Sequence, residues 1–383
     1  MINTKKLFLG MLFCFFFLAC AEKQKPIENP IQQAFKSNNP AIQQVLDRLK
    51  NHEVQIKFTQ IDRKNETVFF KDYDFQVQPN HYFYPASTVK FPVAVLAVEK
   101  INSMVNFDMN TRFYIEGDIL ETTVAQEITK LFAVSDNEAY NRLFEFLGQD
   151  EIKQKLEAKG IENVRISHRV STPNADDITT RAIVYYANDS TTNITKKIIN
   201  KPIKPLKIDQ LKKGKGYFEE AILIQEPFDF SLKNYYAIDA QHEVLKRLIF
   251  PEKFTVAQRF TISNEQRDFL LEAMHTLPRE LRYDTKEYYD SYVKFFMYGD
   301  SQEPIPASIE IYNKVGYAYG TLTDCAYIKD TENEIDFLIT ATILVNKNGI
   351  FNDNDYEYDA VGIPFLAALG RELYQQELAR KNK

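Results

Sequence analysis

The sequence predicts an α+β fold: one antiparallel sheet completed by strands near both ends of the chain, with a helical subdomain inserted between its second and third strands. Three observations point there. First, Val54-Gln55-Ile56-Lys57-Phe58 alternates apolar with polar, and a second strand, Thr67 to Lys71, follows the turn residues Asp62-Arg63-Lys64-Asn65. Second, Ser308–Val315, Leu322–Lys329 and Ile335–Val345 are three strand-like runs at hairpin spacing. Third, most of residues 105–290 reads as helices and loops, among them Glu138–Phe146 and Gln149–Ala158. With 383 residues, 44% of them apolar, the chain can bury a real core. No linker tract and no repeat divides it.

Lys5 and Lys6 precede a thirteen-residue apolar run, Leu7 to Ala19. A helix needs about 20 residues to cross a bilayer core, so residues 1–19 read as an export signal. The run ends Phe17-Leu18-Ala19-Cys20 and polar residues follow. This resembles a bacterial lipobox, although Phe17 and Leu18 depart from its usual form and leave ordinary signal cleavage open. The resemblance implies lipidation of Cys20, a polar tether over residues 20–40, and a lipid-anchored place in the cell envelope, in the periplasm or at the outer membrane.

Residues 41–383 then form the folded domain. Ile42, Val45, Leu46 and Leu49 have helical spacing from Ala41 to about Asn51. A buried-type helix runs from Thr88 to Ile101, and a closing helix from about Ile363 to Ala379. The helical subdomain spans about 88–305, with an insertion at 181–240 that carries possible hairpin strands (Ile183–Tyr186, Ile194–Ile199, Ala221–Gln225). The formal charge of −6 argues against a nucleic-acid partner, which needs a basic surface. Lysines cluster between Lys196 and Lys215, read as a solvated basic face. If Cys14 leaves with the signal and Cys20 carries lipid, Cys325 remains alone, so no internal disulfide is possible. Its apolar strand makes it a buried small side chain.

Three short patterns carry chemistry: Ser87-Thr88-Val89-Lys90, Ser135-Asp136-Asn137 and Lys314-Val315-Gly316. The first and third are individually cheap, since Ser291-Tyr292-Val293-Lys294, Lys212-Lys213-Gly214 and Lys347-Asn348-Gly349 also fit. Context separates them. Pro85-Ala86-Ser87 leads into an apolar helix, which puts Ser87 where backbone N–H groups and the positive end of the helix dipole gather. A spacing of three places Lys90 on the same face. A partly desolvated lysine there loses its proton near neutral pH and can activate the hydroxyl. Ser291-x-x-Lys294 has no such helix behind it and is set aside. Taken alone, Ser135 and Asn137 read equally as helix caps, and Lys314 as an exposed strand lysine beside Glu310 and Tyr312. Gly316 marks a place where a substrate backbone could approach a strand edge.

In order and context, with the downstream run Tyr319-Gly320-Thr321-Leu322-Thr323-Asp324, these motifs resemble class A β-lactamases and their relatives among the penicillin-recognising serine hydrolases. The likeness is strongest over residues 82–148 and 308–345. It implies the β-lactamase/transpeptidase-like fold and an acyl-enzyme mechanism on β-lactam or peptidoglycan-type amide substrates. β-Lactam hydrolysis comes first and D-alanyl carboxypeptidase-like activity second. Ser87 would be the nucleophile, Lys90 its base, and Ser135 the proton shuttle to the leaving nitrogen. Asn137 would bind the acylamino side chain. Lys314 would attract the substrate carboxylate and lower the Lys90 pKa; the N–H groups of Ser87 and Tyr317 would form the oxyanion hole. No cofactor is implied, and His52, His81, His168, His242 and His275 are too scattered for a metal site.

Two departures bear on turnover. Val315 replaces the family's Thr or Ser, removing a hydroxyl for the substrate carboxylate. The family's Glu-x-x-Leu-Asn, whose Glu activates the deacylating water, is absent from Arg165 to Asp177. Asp176 and Asp177 are the nearest carboxylates, and read as loop residues. The rival function is therefore a slowly turning-over or non-catalytic penicillin-binding-like envelope protein.

Overall fold

The computed structural model describes residues 29–65 and 67–381, so the signal run and Cys20 lie outside the described residues. Strand β1 (Gln55–Lys64) turns at Asn65, which takes φ +48°, towards β2 (Thr67–Phe75). The three late runs become β3 (Ile309–Ala318), β4 (Thr321–Asp330) and β5 (Ile335–Leu344). They assemble in the order β3-β4-β5-β1-β2, antiparallel throughout, with Phe58 opposite Ile339 and Lys314 opposite Cys325. The sheet is thus closed by β1 beside β5, one strand from each end of the chain. β3 is left as an edge.

Alternation divides β4 between two cores, because successive side chains leave a strand on opposite faces. Ala326 and Ile328 join Phe58 and Phe337 beneath the closing helix, while Cys325 and Tyr327 face the other way. Cys325 is buried there, and its Sγ donates to Gln241 O at 3.4 Å.

The subdomain is built from α1 (Lys90–Ile101), α2 (Val124–Ala133), α3 (Asn137–Leu147) and α4 (Gln149–Ala158). Every residue of α1 except Lys100 is buried, so this helix is the centre of the second lobe. Helix α5 (Ile238–Ile249) corrects the sequence boundaries. Placed by sequence partly in the insertion and wholly in the subdomain, it packs Val244, Leu245 and Leu248 into the core that also holds Cys325, Tyr327 and Leu338 of the sheet. Its apolar stripe matches a sheet face that needs covering. The opposite face is covered by α6 (Ile363–Lys381).

Two further differences follow from packing. Residues 30–34, read as tether, form a helical turn started by Asn29 and Pro30; Ile31 and Ala34 are fully buried against the core under α6. Gln376 Nε2 donates to Pro30 O at 3.1 Å, and Ser37 Oγ to Glu372 at 2.6 Å. The tether reading therefore fails from residue 30 onward. The insertion also splits. Ile183–Asn188 and Thr191–Ile194 form a hairpin alongside Phe113–Ile115, whereas Ile222–Ile224 pairs with Gly216–Glu219. The latter strand runs parallel to Ile350–Phe351, beyond β5.

Candidate active site

From Tyr82 to Glu99 every residue is buried except Ser87. The chain reaches it through Ala86, a non-glycine residue at φ +47°, and a 3₁₀ turn over Ala86–Val89 that feeds α1. The motif therefore starts one tight turn before the α-helix rather than on it. In a 3₁₀ turn residues i and i+3 eclipse, which keeps Ser87 and Lys90 on one face. Among the described residues Ser87 Oγ makes no hydrogen bond. It borders a cleft of about 880 Å³.

Gly316 is closely packed on one face. A Cβ there would lie 2.7 Å from Pro85 O and from Ser87 N, and 2.8 Å from Thr88 N. Strand β3 rests its bare backbone directly on the turn that carries Ser87, so on this face the close approach is to the protein itself. Gly316→Ala is expected to push the two apart, slow acylation at least about tenfold and destabilise by about 1–3 kcal/mol, as overpacking does. Denaturation curves and adduct-formation rates would check this; an unchanged rate would contradict the packing argument.

Lys90 is fully buried. Its Nζ donates to Ser135 O at 2.5 Å and Asn137 Oδ1 at 2.6 Å, with longer contacts to Asp136 O at 3.3 Å and Ser135 Oγ at 3.4 Å. Burial brings its pKa down to about 7, against a smaller opposing pull from Asp136. Lys314, which taken alone would pass for an exposed strand lysine, is 2% exposed because its strand face lies under the second lobe, where its Nζ meets Ser135. Its Nζ donates to Ser135 Oγ and to Val315 O, both at 2.8 Å. Burial, then the charge of Lys90, then that of Lys294 hold Lys314 well below the usual lysine value, with Asp324 opposing. Burial is the leading cause for both lysines, and their repulsion adds to it. Two ammonium groups converging on one buried hydroxyl repel, which favours one free amine.

The S-D-N turn divides its labour. Asp136, not Ser135 or Asn137, caps α3 by accepting from Ala139 N at 2.7 Å. That frees Ser135, held at φ +56°, and Asn137 to face the lysines. Non-glycine residues at positive φ cost energy and cluster at functional sites. Ser171, at φ +52°, is another: its Oγ accepts from Asn137 Nδ2 at 3.1 Å and it lines the cleft.

Sequence reasoning missed a buried hydrogen-bonded group near Lys314. Lys294, from the motif set aside, donates to Met274 O at 2.6 Å and Asn313 Oδ1 at 2.7 Å. Asn313 Nδ2 in turn donates to Asp324 Oδ1 at 2.8 Å. Burial sets Lys294 down to about 7 and Asp324 up to about 6. A lone Asp in the apolar run of β4 was the available signal, since an unpaired acid is rarely buried.

Among the residues lining the cleft, Asp136 is the one acid, and its Oδ1 caps α3. Asp176 and Asp177 are exposed and outside the lining. His168 lines it but is committed. Its Nδ1–H donates to Arg169 O at 2.6 Å, its Nε2 accepts from Asn234 N at 3.2 Å, and burial lowers its pKa to about 4.

Residues 39–204, which hold Ser87, Lys90, Ser135 and Asn137, match the model of a family described as the Beta-lactamase enzyme family. A class A β-lactamase from Mycobacterium abscessus is similar in structure, with TM-score 0.50 and 15% identity over 88% of this chain and 98% of that one. A mutant PBP-A in an acyl-enzyme complex with penicillin G aligns with TM-score 0.51 and 16% identity over 92% and 97% of the two chains. A β-lactamase from Burkholderia ambifaria aligns with TM-score 0.50 and 13% identity over 87% and 97%. No curated protein sequence matches. The fold is β-lactamase/transpeptidase-like, as the three motifs implied.

Proposed function

We propose that this protein is a serine acyl-transfer enzyme that forms a long-lived acyl-enzyme on Ser87 from β-lactam or peptidoglycan-type amide donors. One observation carries the reading: Lys90 and Lys314 converge on Ser135, which lines one cleft with Ser87, the one unburied residue of its segment. As a neutral amine, Lys90 keeps two hydrogen bonds, to Ser135 O and Asn137 Oδ1, and retains a lone pair. That lone pair takes the Ser87 proton as Oγ attacks the carbonyl carbon. The N–H groups of Ser87 and Tyr317 hold the resulting oxyanion; losing one such donor typically costs about a hundredfold or more. Ser135, in contact with both lysines, gives its proton to the amide nitrogen as the bond to carbon breaks and takes up the proton Lys90 received, which leaves Lys90 neutral again.

Deacylation by water needs a base; the family's Glu is missing, the one acid in the cleft lining, Asp136, is held at the cap of α3, and His168 is committed on both ring nitrogens. Slow release to water, or transfer to an amine that brings its own nucleophile, follows from that chemistry. The apolar run before Cys20 supports export and a lipid anchor in the bacterial envelope, where peptidoglycan-type donors lie.

The test is a time course of intact mass on the protein with benzylpenicillin, beside colour development with nitrocefin. The expected result is a persistent adduct, mapped to the Ser87 peptide, with little colour. Fast colour without a lasting adduct would refute slow deacylation. Neither adduct nor colour would sink the acyl-enzyme reading.

A further inference from the structure

The cleft beside Ser135 and Val315 is walled by tyrosines. Tyr288 and Tyr292 meet edge to face at 5.0 Å between ring centroids. Across from the S-D-N turn, Tyr317 follows Gly316 on β3 and packs edge to face on Tyr358 at 5.3 Å; Tyr356 stands a further 5.3 Å on. Tyr317 is 51% exposed, a large aromatic surface left open at the mouth of a site. Burial, and then the nearness of Tyr317, hold the Tyr292 phenol up at about 12, so the wall is neutral at physiological pH.

The charges of the cleft lie elsewhere. Of the cations in its lining, Arg169 is tied to Glu145 and to loop carbonyls, and Lys233 stands beside His168. Lys314 already donates to Ser135 and Val315, and Val315 offers methyl groups where the family pattern has a hydroxyl. Such an end has little to hold a carboxylate and much to hold a flat apolar face.

We propose that this end of the cleft is an aromatic slot, binding a planar ring on the leaving-group side of the acyl donor against Tyr292 and Tyr317. The inference rests on the acyl-enzyme reading above and names the substrate class it would favour. Aromatic pairs prefer edge-to-face or offset contacts, and each phenol wall offers one to an incoming ring.

The experiment compares two cephalosporins sharing the thienylacetyl side chain: nitrocefin, with a dinitrostyryl group at C3, and its 3-methyl analogue. The carboxylate is common to both and cancels. Acylation rates would be read by intact mass on the full chain, each divided by that compound's alkaline hydrolysis rate. The expected nitrocefin preference is at least about fivefold. It falls towards parity in Tyr292→Leu and in Tyr288→Leu and persists in Tyr292→Phe; the 3-methyl compound reports in each variant that the site still forms. Equal normalised rates in the unsubstituted protein, or a preference unmoved by both leucine variants, would overturn the slot. An adduct from neither compound would overturn the acyl-enzyme reading, and the slot with it.

Discussion

Replacing Ser87 by alanine is expected to abolish the covalent adduct, and Lys90→Met to slow its formation by about 10²–10⁴-fold, the usual worth of a positioned general base. Met fills the same buried channel without a charge, so the variant should fold. Its loss would then report chemistry rather than collapse. The pH dependence separates the roles further. Burial sets Lys90 near 7, and the base is the unprotonated amine. The acylation rate should therefore rise as pH increases through 7, by about tenfold between pH 6 and pH 8, and level off above. Lys90→Met should lose that rise. A variant that acylates at the unsubstituted rate, or an unsubstituted protein whose rate is flat from pH 6 to 8, would remove Lys90 from the role of base.

Glu145→Ala should cost about 3–5 kcal/mol of stability, because it strips the partner from a buried guanidinium. Glu145 on α3 is fully buried. Its carboxylate accepts from Arg169 Nε at 2.9 Å and Arg169 Nη2 at 2.8 Å, and from Arg181 N at 2.8 Å. Arg169 in turn donates to the carbonyls of Asp177 and Thr179 at 2.9 and 3.1 Å, which hangs the loop carrying Ser171 from the helix that begins at Asn137. Urea unfolding of Glu145→Ala and Glu145→Gln measures the effect, with Gln the milder because it keeps one acceptor. A loss below about 1 kcal/mol for Ala would show that Arg169 finds its support in the carbonyls alone.

Strand alternation at both ends of the chain was enough to place β1 and β2 and the three late strands in one antiparallel sheet. A hydrophobic period depends only on neighbours in sequence. The same holds for Ser87, whose position ahead of an unbroken apolar helix is a local fact, and for the order of the three motifs.

Burial across the sheet is not a local fact. Lys314 shares a strand face with Glu310 and Tyr312, and nothing within several residues says that a turn more than two hundred residues earlier covers that face at Lys314 and Gly316. Lys294 sits among Tyr and Asp residues and reads as surface, yet it is fully enclosed between Met274 and Asn313. Residues 30–34 are polar enough to pass for tether until α6 presents an apolar face to Ile31 and Ala34. The choice of Asp136 over Ser135 as cap turned on backbone geometry, with Ser135 at positive φ.

The sequence by itself determined the sheet, the order of the three motifs and the likeness to a family. The tertiary structure alone decided which lysines are buried, which carboxylates are spent on caps and ion pairs, and which way the tyrosines face. The physical reason is that proton affinity and access follow desolvation, and desolvation is set by segments far apart in the chain that meet only in the fold.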